Sequence, residues 1–450
     1  EPQHYSQALL LTLRQPLAPA LLQSALSALL AQHDALRLRF IHTDDGWQQQ
    51  HAPDITAQVQ YVDLRGLASH RQRAALEGAA AALQRSLDLT RGPLMRVACF
   101  ELGAGEPARL LLIIHHLLVD GVSWRILLAD LYRAATQLAA GAVVQLPPKT
   151  TAYKTWAQRL VAYAQTAEVQ AERAYWLALV RQAGRALPRD YATGQPQVGT
   201  AIEVVGQLTV DETRALLQEV PAAYHTQIND ALLTGLVQAV ASWRGEARLL
   251  VELEGHGRED LFADVDLTRT VGWCTATYPV LLDVRGVSGP GAALQAVKEQ
   301  LRALPQRGIG YGVLRYLTPD GAELAVEPEV SFNYLGQVEA GAEATAGLFG
   351  GAREASGPTQ DPRGRRRHVL EVSGVVEQGA LELVLRYSPE LHARATITRL
   401  LDAYLAALRS LIAECQAPDA GGFTPSDFPL AQLDQADLEA AFEQITFTEE

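Results

Sequence analysis

The stretch Leu110-Leu111-Leu112-Ile113-Ile114-His115-His116-Leu117-Leu118-Val119-Asp120-Gly121 decides how the chain is read. Five consecutive apolar residues fit a central strand with both faces covered, and Asp120-Gly121 makes a turn before an amphipathic helical pattern over 123–138. That is strand, turn, helix, with two histidines where the strand runs out. Such strand ends are where α/β proteins tend to present reactive groups. Successive strand residues face opposite ways, so His115 and His116 cannot both point into one cavity; one reads as a catalyst and the other as scaffold. On the residues alone a buried structural pair, a solvated turn and a metal site stay open. Zinc would want a third and fourth ligand, and the neighbouring sequence supplies none. Ser123 raises a serine hydrolase, but the nucleophile elbow needs a second glycine where this chain has Arg125.

Outward from there, 20–32 carries leucines and alanines at helical spacing after Pro19, and 36–40 alternates with period two as a strand does. Residues 72–86 repeat the helical pattern, a turn falls near 90–93, and 94–100 reads as a strand. Pro147-Pro148 breaks the pattern before a helical stretch over 151–180 with a short interruption. The grammar then repeats: strand 201–208, helix 226–243, strand 248–253, and later strand 381–387 with helix 397–414. The predicted fold class is α/β with mixed sheets. Gly421-Gly422 opens an irregular tail, and no repeat of 20–50 residues suggests a solenoid.

With 450 residues, 48% of them apolar, the chain is long enough for two or three domains with real cores. Its 38 basic and 51 acidic residues give a net charge of −13, which repels a phosphate backbone and an anionic membrane surface alike. Neither nucleic acid nor membrane is an expected partner. Apolar runs such as 110–114 fall far short of the roughly 20 residues that cross a bilayer. Cys99, Cys274 and Cys415 are scattered and form no CxxC pair, which fits a reducing cytoplasm and suggests neither a disulfide framework nor a cysteine zinc site. No leader is read before the fold, and the chain reads as a piece of a longer polypeptide.

A second polar cluster, Glu254-Gly255-His256-Gly257-Arg258-Glu259, closes the strand over 248–253. Its glycines let the backbone turn tightly or approach a ligand closely, although a solvated strand-end turn reads equally well. Gly308-Ile309-Gly310-Tyr311-Gly312 lacks the spacing and context of a dinucleotide loop, and the basic run 363–367 reads as an exposed loop.

The HHxxxDG stretch resembles the signature of the condensation-domain superfamily of nonribosomal peptide synthetases, whose relatives include chloramphenicol acetyltransferase-like acyltransferases. Its continuation Val122-Ser123-Trp124-Arg125-Ile126-Leu127 is similar to the epimerization branch. Four further blocks agree in order: 254–259, then Arg269-Thr270-Val271-Gly272-Trp273, then 308–316, then Phe332-Asn333-Tyr334-Leu335-Gly336-Gln337. The resemblance covers roughly residues 3–415. It implies two chloramphenicol acetyltransferase-like lobes in a V-shaped pseudo-dimer with a tunnel between them. The expected divisions are an N-terminal lobe over 1–147, a helical linker over 148–185, a C-terminal lobe over 186–416 and a tail over 417–450.

The reaction implied is inversion, L to D, of the α-carbon of an aminoacyl or peptidyl thioester. The thioester hangs on the phosphopantetheine arm of a peptidyl carrier protein expected upstream in the same polypeptide, with a condensation domain downstream. The resemblance assigns His116 to one face of that carbon and Glu254 to the other, with Tyr334 as a third catalytic group and Asn333 or Ser123 positioning substrate or enolate oxygen. His115, Asp120, Gly121 and Arg269 are expected to be structural, with Arg269 as the partner of Asp120; Trp124 and Trp273 are expected to pack the walls. No intrinsic cofactor or metal is expected, and the domain is expected to be monomeric. The alternatives are a condensation domain joining two carrier-bound substrates and an inactive docking module.

Overall fold

The computed structural model describes residues 2–338 and 347–440, except 54, 104, 183, 418, 419, 432, 433 and 439. The end of the expected tail, 441–450, lies outside the described residues. Along the chain run β1 (Ser6–Leu13), α1 (Pro19–Gln32), β2 (Leu38–Thr43), β3 (Gly46–His51), β4 (Val59–Asp63), α2 (Ser69–Gln84), β5 (Met95–Glu101), β6 (Arg109–His115) and α3 (Gly121–Ala139). Next come α4 (Tyr153–Tyr163), α5 (Ala167–Ala171), α6 (Arg173–Arg181), β7 (Ile202–Gln207), α7 (Val210–Tyr224), α8 (Ile228–Arg244) and β8 (Arg248–Gly255). The remainder is β9 (Ala276–Asp283), α9 (Pro290–Arg302), α10 (Ile309–Leu317), β10 (Val330–Val338), β11 (Phe349–Gly351), β12 (Leu370–Glu377), β13 (Ala380–Tyr387) and α11 (Arg394–Cys415). Among the described residues no helix is long and apolar enough to cross a membrane.

Contacts divide the chain into two units. The first holds the described residues of Glu1–Ala162, His256–Thr275 and Gly341–Gly364; the second holds those of Tyr163–Gly255, Ala276–Ala340 and Arg365–Glu450. The 256–275 segment thus packs with the first unit, although it falls inside the 186–416 span of the sequence reading.

The first unit carries a five-stranded sheet in the order β11-β1-β6-β5-β4, mixed because β4 and β5 run parallel while the other pairs are antiparallel. Every residue of β6 is buried, as its unbroken apolar run requires. Leu110, Leu112 and Ile114 pack with Leu26, Leu29, Leu127 and Leu131 of α1 and α3. Leu111 and Ile113 pack on the other face with Leu76 and Ala80 of α2. Each such leucine or isoleucine contributes about 1.5–3 kcal/mol by leaving water. The strand expected over 36–40 starts later, at Leu38, because Asp34–Arg37 forms a 3₁₀ turn closed by an Arg37–Asp34 ion pair at 2.6 Å.

The second unit carries a six-stranded sheet in the order β7-β13-β12-β10-β8-β9, with β10 parallel to both of its neighbours. Helices α8 and α11 pack closely where Gly235 stands: a β-carbon there would sit 2.8 Å from Leu408 and 3.0 Å from Tyr404. The tail is not wholly irregular. Thr424 and Asp427 cap each other's backbone, and both Asp427 oxygens accept from Lys298 Nζ at 2.7 and 2.6 Å. Lys298 is 1% exposed, and its third proton goes to the Tyr224 carbonyl at 3.0 Å.

Candidate active site

In the first unit β6 ends at His115, and His116 opens the 3₁₀ turn that follows. His115 is buried on the α2 side, where Nδ1 accepts the Leu117 N–H at 3.2 Å and Nε2 donates to the Pro2 carbonyl at 2.9 Å. Both ring nitrogens are committed, which fits the scaffold role. His116, on the α3 side, is half-buried. Its ring forms a triangle with Tyr5, stacked at 5.0 Å, and Trp273 at 4.3 Å; the latter two are 5.9 Å apart. Its Nε2 lies 3.0 Å from the amide nitrogen of Gln7. Burial pushes the His116 pKa down, against backbone hydrogen bonds and the charge of Asp120, which favours the neutral imidazole. Trp273 therefore touches the candidate base itself rather than a distant wall.

Asp120 is buried, and its partner is Arg258 rather than Arg269. Arg258 Nη1 donates to Asp120 Oδ2 at 2.6 Å and Nη2 to Oδ1 at 3.1 Å, while the backbone N–H of Ser123 and of Cys274 complete the shell at 2.8 and 3.0 Å. Burial alone would raise this carboxyl; the Arg258 and Ser123 bonds overcome it and hold the pKa below the usual aspartate range. Arg269 instead pairs with Asp130 at 2.6 Å, an aspartate also bonded to His33 at 2.9 Å. The expected Asp120–Arg269 pair is therefore corrected. Gly257, with φ +64°, lets the chain after β8 turn so that Arg258 serves Asp120.

Ser123 requires correction too. Its hydroxyl is fully buried, donating to Asp120 and accepting the Gly272 N–H at 3.1 Å, and its own N–H is spent on Asp120. No atom of it is left to position a substrate. At Gly121 a β-carbon would meet nothing within 4 Å, so the surrounding protein does not demand glycine there.

In the second unit β8 and β10 lie side by side with Leu253 opposite Phe332. The next residues, Glu254 and Asn333, share the other face, and Asn333 Nδ2 donates to Glu254 Oε2 at 2.8 Å. Glu254 keeps solvent access, yet its carboxyl is pushed above the ordinary range, first by desolvation and then by the nearby charge of Glu252. Glu252 is itself buried and pairs with Arg367, and His368 Nε2 lies 3.2 Å from it. Tyr334 leaves β10 on the opposite face from Asn333, with its ring 3.5 Å from where a Gly374 β-carbon would stand, beside Leu383. Strand alternation thus sets Tyr334 on the face opposite Asn333, just before the register shift in β10.

The raised Glu254 pKa has a measurable sign. The folded domain holds this proton to higher pH than the unfolded chain, whose glutamate titrates at about 4.3. The favourable contribution of the neutral form is therefore full below that value and lost as pH rises through the raised folded pKa. Glu254→Gln removes the loss while keeping an acceptor for Asn333. Its Tm is expected to match the parent's near pH 4 and exceed it increasingly towards pH 8; a variant less stable across that range would contradict the assignment.

Arg258, Tyr5, Gln7 and Trp273 are site residues to which the sequence reading gave no role at the base or its carboxylate. Arg258 and Trp273 lie inside blocks already singled out, but nothing in those blocks says whom they touch.

The first unit thus presents a histidine beside a capped, arginine-bound aspartate, the second unit presents a glutamate with a raised pKa, and both are built on mixed sheets covered by helices. The chain belongs to the condensation-domain family, whose model, described as "Condensation domain", matches residues 1–433. It is 47% identical over 422 residues to one of the linear gramicidin synthase proteins of Brevibacillus parabrevis, covering 93% of this chain and 5% of that protein. Chondramide synthase of Chondromyces crocatus is 44% identical, covering 99% of this chain and 11% of that protein. The chain thus spans a small fraction of these relatives. Among solved structures it is similar to the epimerization domain from the third module of tyrocidine synthetase B, at 35% identity and TM-score 0.84, covering 92% of this chain and 93% of that one. The first condensation domain of the calcium-dependent antibiotic synthetase shares the fold at TM-score 0.68 and 20% identity, covering 92% of this chain and 93% of that one.

Proposed function

We propose that this domain inverts the α-carbon, L to D, of an aminoacyl or peptidyl thioester in cytoplasmic nonribosomal peptide synthesis. The substrate hangs on the phosphopantetheine arm of a peptidyl carrier protein upstream in the same polypeptide, and a downstream condensation domain would take the D-product. The observation that carries the reading is the pair of groups on offer: the His116 imidazole packed against Tyr5 and Trp273, and the solvent-accessible Glu254 carboxyl held by Asn333 at 2.8 Å, with their pKa values moved down and up respectively. A neutral imidazole and a protonated carboxyl are the pair that reversible inversion needs. The likeness to a solved epimerization domain supports the same reading.

The thioester carbonyl acidifies the α-carbon, so the chemistry needs neither metal nor pyridoxal. One group removes the α-proton, the electron pair becomes an enolate with its charge on the thioester oxygen, and the other group returns a proton to the opposite face. Nothing is gained or lost overall, so the domain speeds equilibration without biasing it. Asn333, already donating to Glu254, is placed to steady the carboxyl between turnovers.

The test uses an L-aminoacyl thioester loaded on a carrier protein, with the domain added in D₂O. Deuterium and D-acid should both appear in the released amino acid. Unlabelled, unchanged L-acid overturns the reading, and a new amide formed with a second loaded carrier would point to condensation instead.

A further inference from the structure

The neighbour of the candidate base is not a passive wall. The indole N–H of Trp124 donates to Gln7 Oε1 at 2.7 Å, and Gln7 Nε2 lies 3.0 Å from His116 Nε2. An indole nitrogen can only donate, so it fixes which way the Gln7 amide points: carbonyl towards Trp124, NH₂ towards the imidazole. An NH₂ group can only donate, so His116 Nε2 must accept, and the neutral ring carries its proton on Nδ1. The three residues come from three places in the first unit: Gln7 from β1, Trp124 from α3, and His116 from the 3₁₀ turn just after β6, with which β1 pairs.

We propose that Gln7, oriented by Trp124, is a positioning residue that selects the Nδ1–H tautomer of His116 and disfavours its protonated form. When Nε2 takes a proton, two donors face one another across 3.0 Å. The amide can turn over and offer its carbonyl to the imidazolium, but its NH₂ then faces the Trp124 N–H. No orientation satisfies both neighbours of the charged ring, whereas one orientation satisfies both neighbours of the neutral ring. The amide therefore has two arrangements, and the protonation state of His116 chooses between them. The other groups of the first unit that bear on this titration are Asp120, whose charge opposes the effect, His115, whose ring lies on the far side of the strand, and Tyr5, which stacks on the imidazole.

The consequence for turnover rests on the proposed epimerase reading: the Nε2 lone pair that would take the α-proton is the one Gln7 donates to, so the amide must turn away as His116 is protonated and its return would hasten release of that proton. The tautomer claim does not rest on it. Imidazole ¹⁵N spectra of the intact chain, with His116 assigned by difference against His116→Gln, report the tautomer and the pKa directly. The native protein should show the Nδ1–H form. In Gln7→Leu the tautomer preference should weaken and the pKa rise by about one unit; in Gln7→Glu, whose carboxylate accepts from both neighbours, it should rise by about 1–3 units. Trp124→Phe keeps the ring but frees the amide, and should mix the tautomers without touching Gln7, which guards against a misfolded Gln7 variant. A native Nε2–H form, or a pKa unchanged in both Gln7→Leu and Gln7→Glu, overturns the proposal. Native protein with the Nδ1–H form but no α-proton exchange would instead sink the epimerase reading and leave this one standing.

Discussion

Arg258→Met should cost the domain about 3–5 kcal/mol of stability, measured by urea unfolding, because it strands the Asp120 carboxylate in the protein interior. Asp120 is 2% exposed and Arg258 binds it through both terminal nitrogens. Arg269→Met should cost clearly less: Asp130 keeps its bond to His33, and Arg269 is the more exposed arginine, at 28% against 8% for Arg258. The pH dependence has a definite sign. Because the Asp120 pKa is lowered on folding, its contribution is present above the unfolded aspartate value of about 3.9 and lost as pH falls through the depressed folded value. The gap between the native protein and Asp120→Asn should therefore be full at neutral pH and shrink on acidification. Equal losses for the two arginine variants would refute the assignment of partners.

On the proposed reaction, Glu254→Gln and His116→Ala should each cut inversion by about 10²–10⁴ while sparing different halves of the chemistry. With one group gone, the other still takes the α-proton from the face it serves and returns it to that same face. Exchange into D₂O with retention should thus persist from one enantiomer in Glu254→Gln and from the opposite enantiomer in His116→Ala. Starting from separate L- and D-aminoacyl carriers shows which. Should a single group serve both faces, one variant would lose exchange from both enantiomers and the other would still invert. Since Glu254→Gln is expected to be the more stable protein at neutral pH, its loss of turnover could not be laid to unfolding.

The sequence was readable where local pattern and tertiary demand agree. The run into His115 had to be a doubly covered strand, as the structure shows, and the two histidines make different contacts, His115 with the Pro2 carbonyl and His116 with Tyr5, Gln7 and Trp273. Period two, applied to Phe332-Asn333-Tyr334, would have separated Tyr334 from Asn333; reading the block as a motif hid the alternation. Partner choice was not readable. Arg258 and Arg269 both follow Glu254 within a short loop-rich stretch, and only the turn at Gly257 and the packing of 256–275 on the first unit decide between them. Gln7 escaped notice because β1 reads as a mostly apolar run with no reactive cluster, and its importance comes from a strand pairing over a hundred residues away in sequence.

The Lys298–Asp427 pair bears on where this domain can be trimmed. A cut at the end of α11 looks natural, since the last long helix stops there, yet it would remove the sole carboxylate that the described structure offers to the Lys298 ammonium. Shortened in that way, the protein would be left with an interior positive charge and every incentive to open around α9. Anyone preparing this domain alone should carry the chain past Asp427.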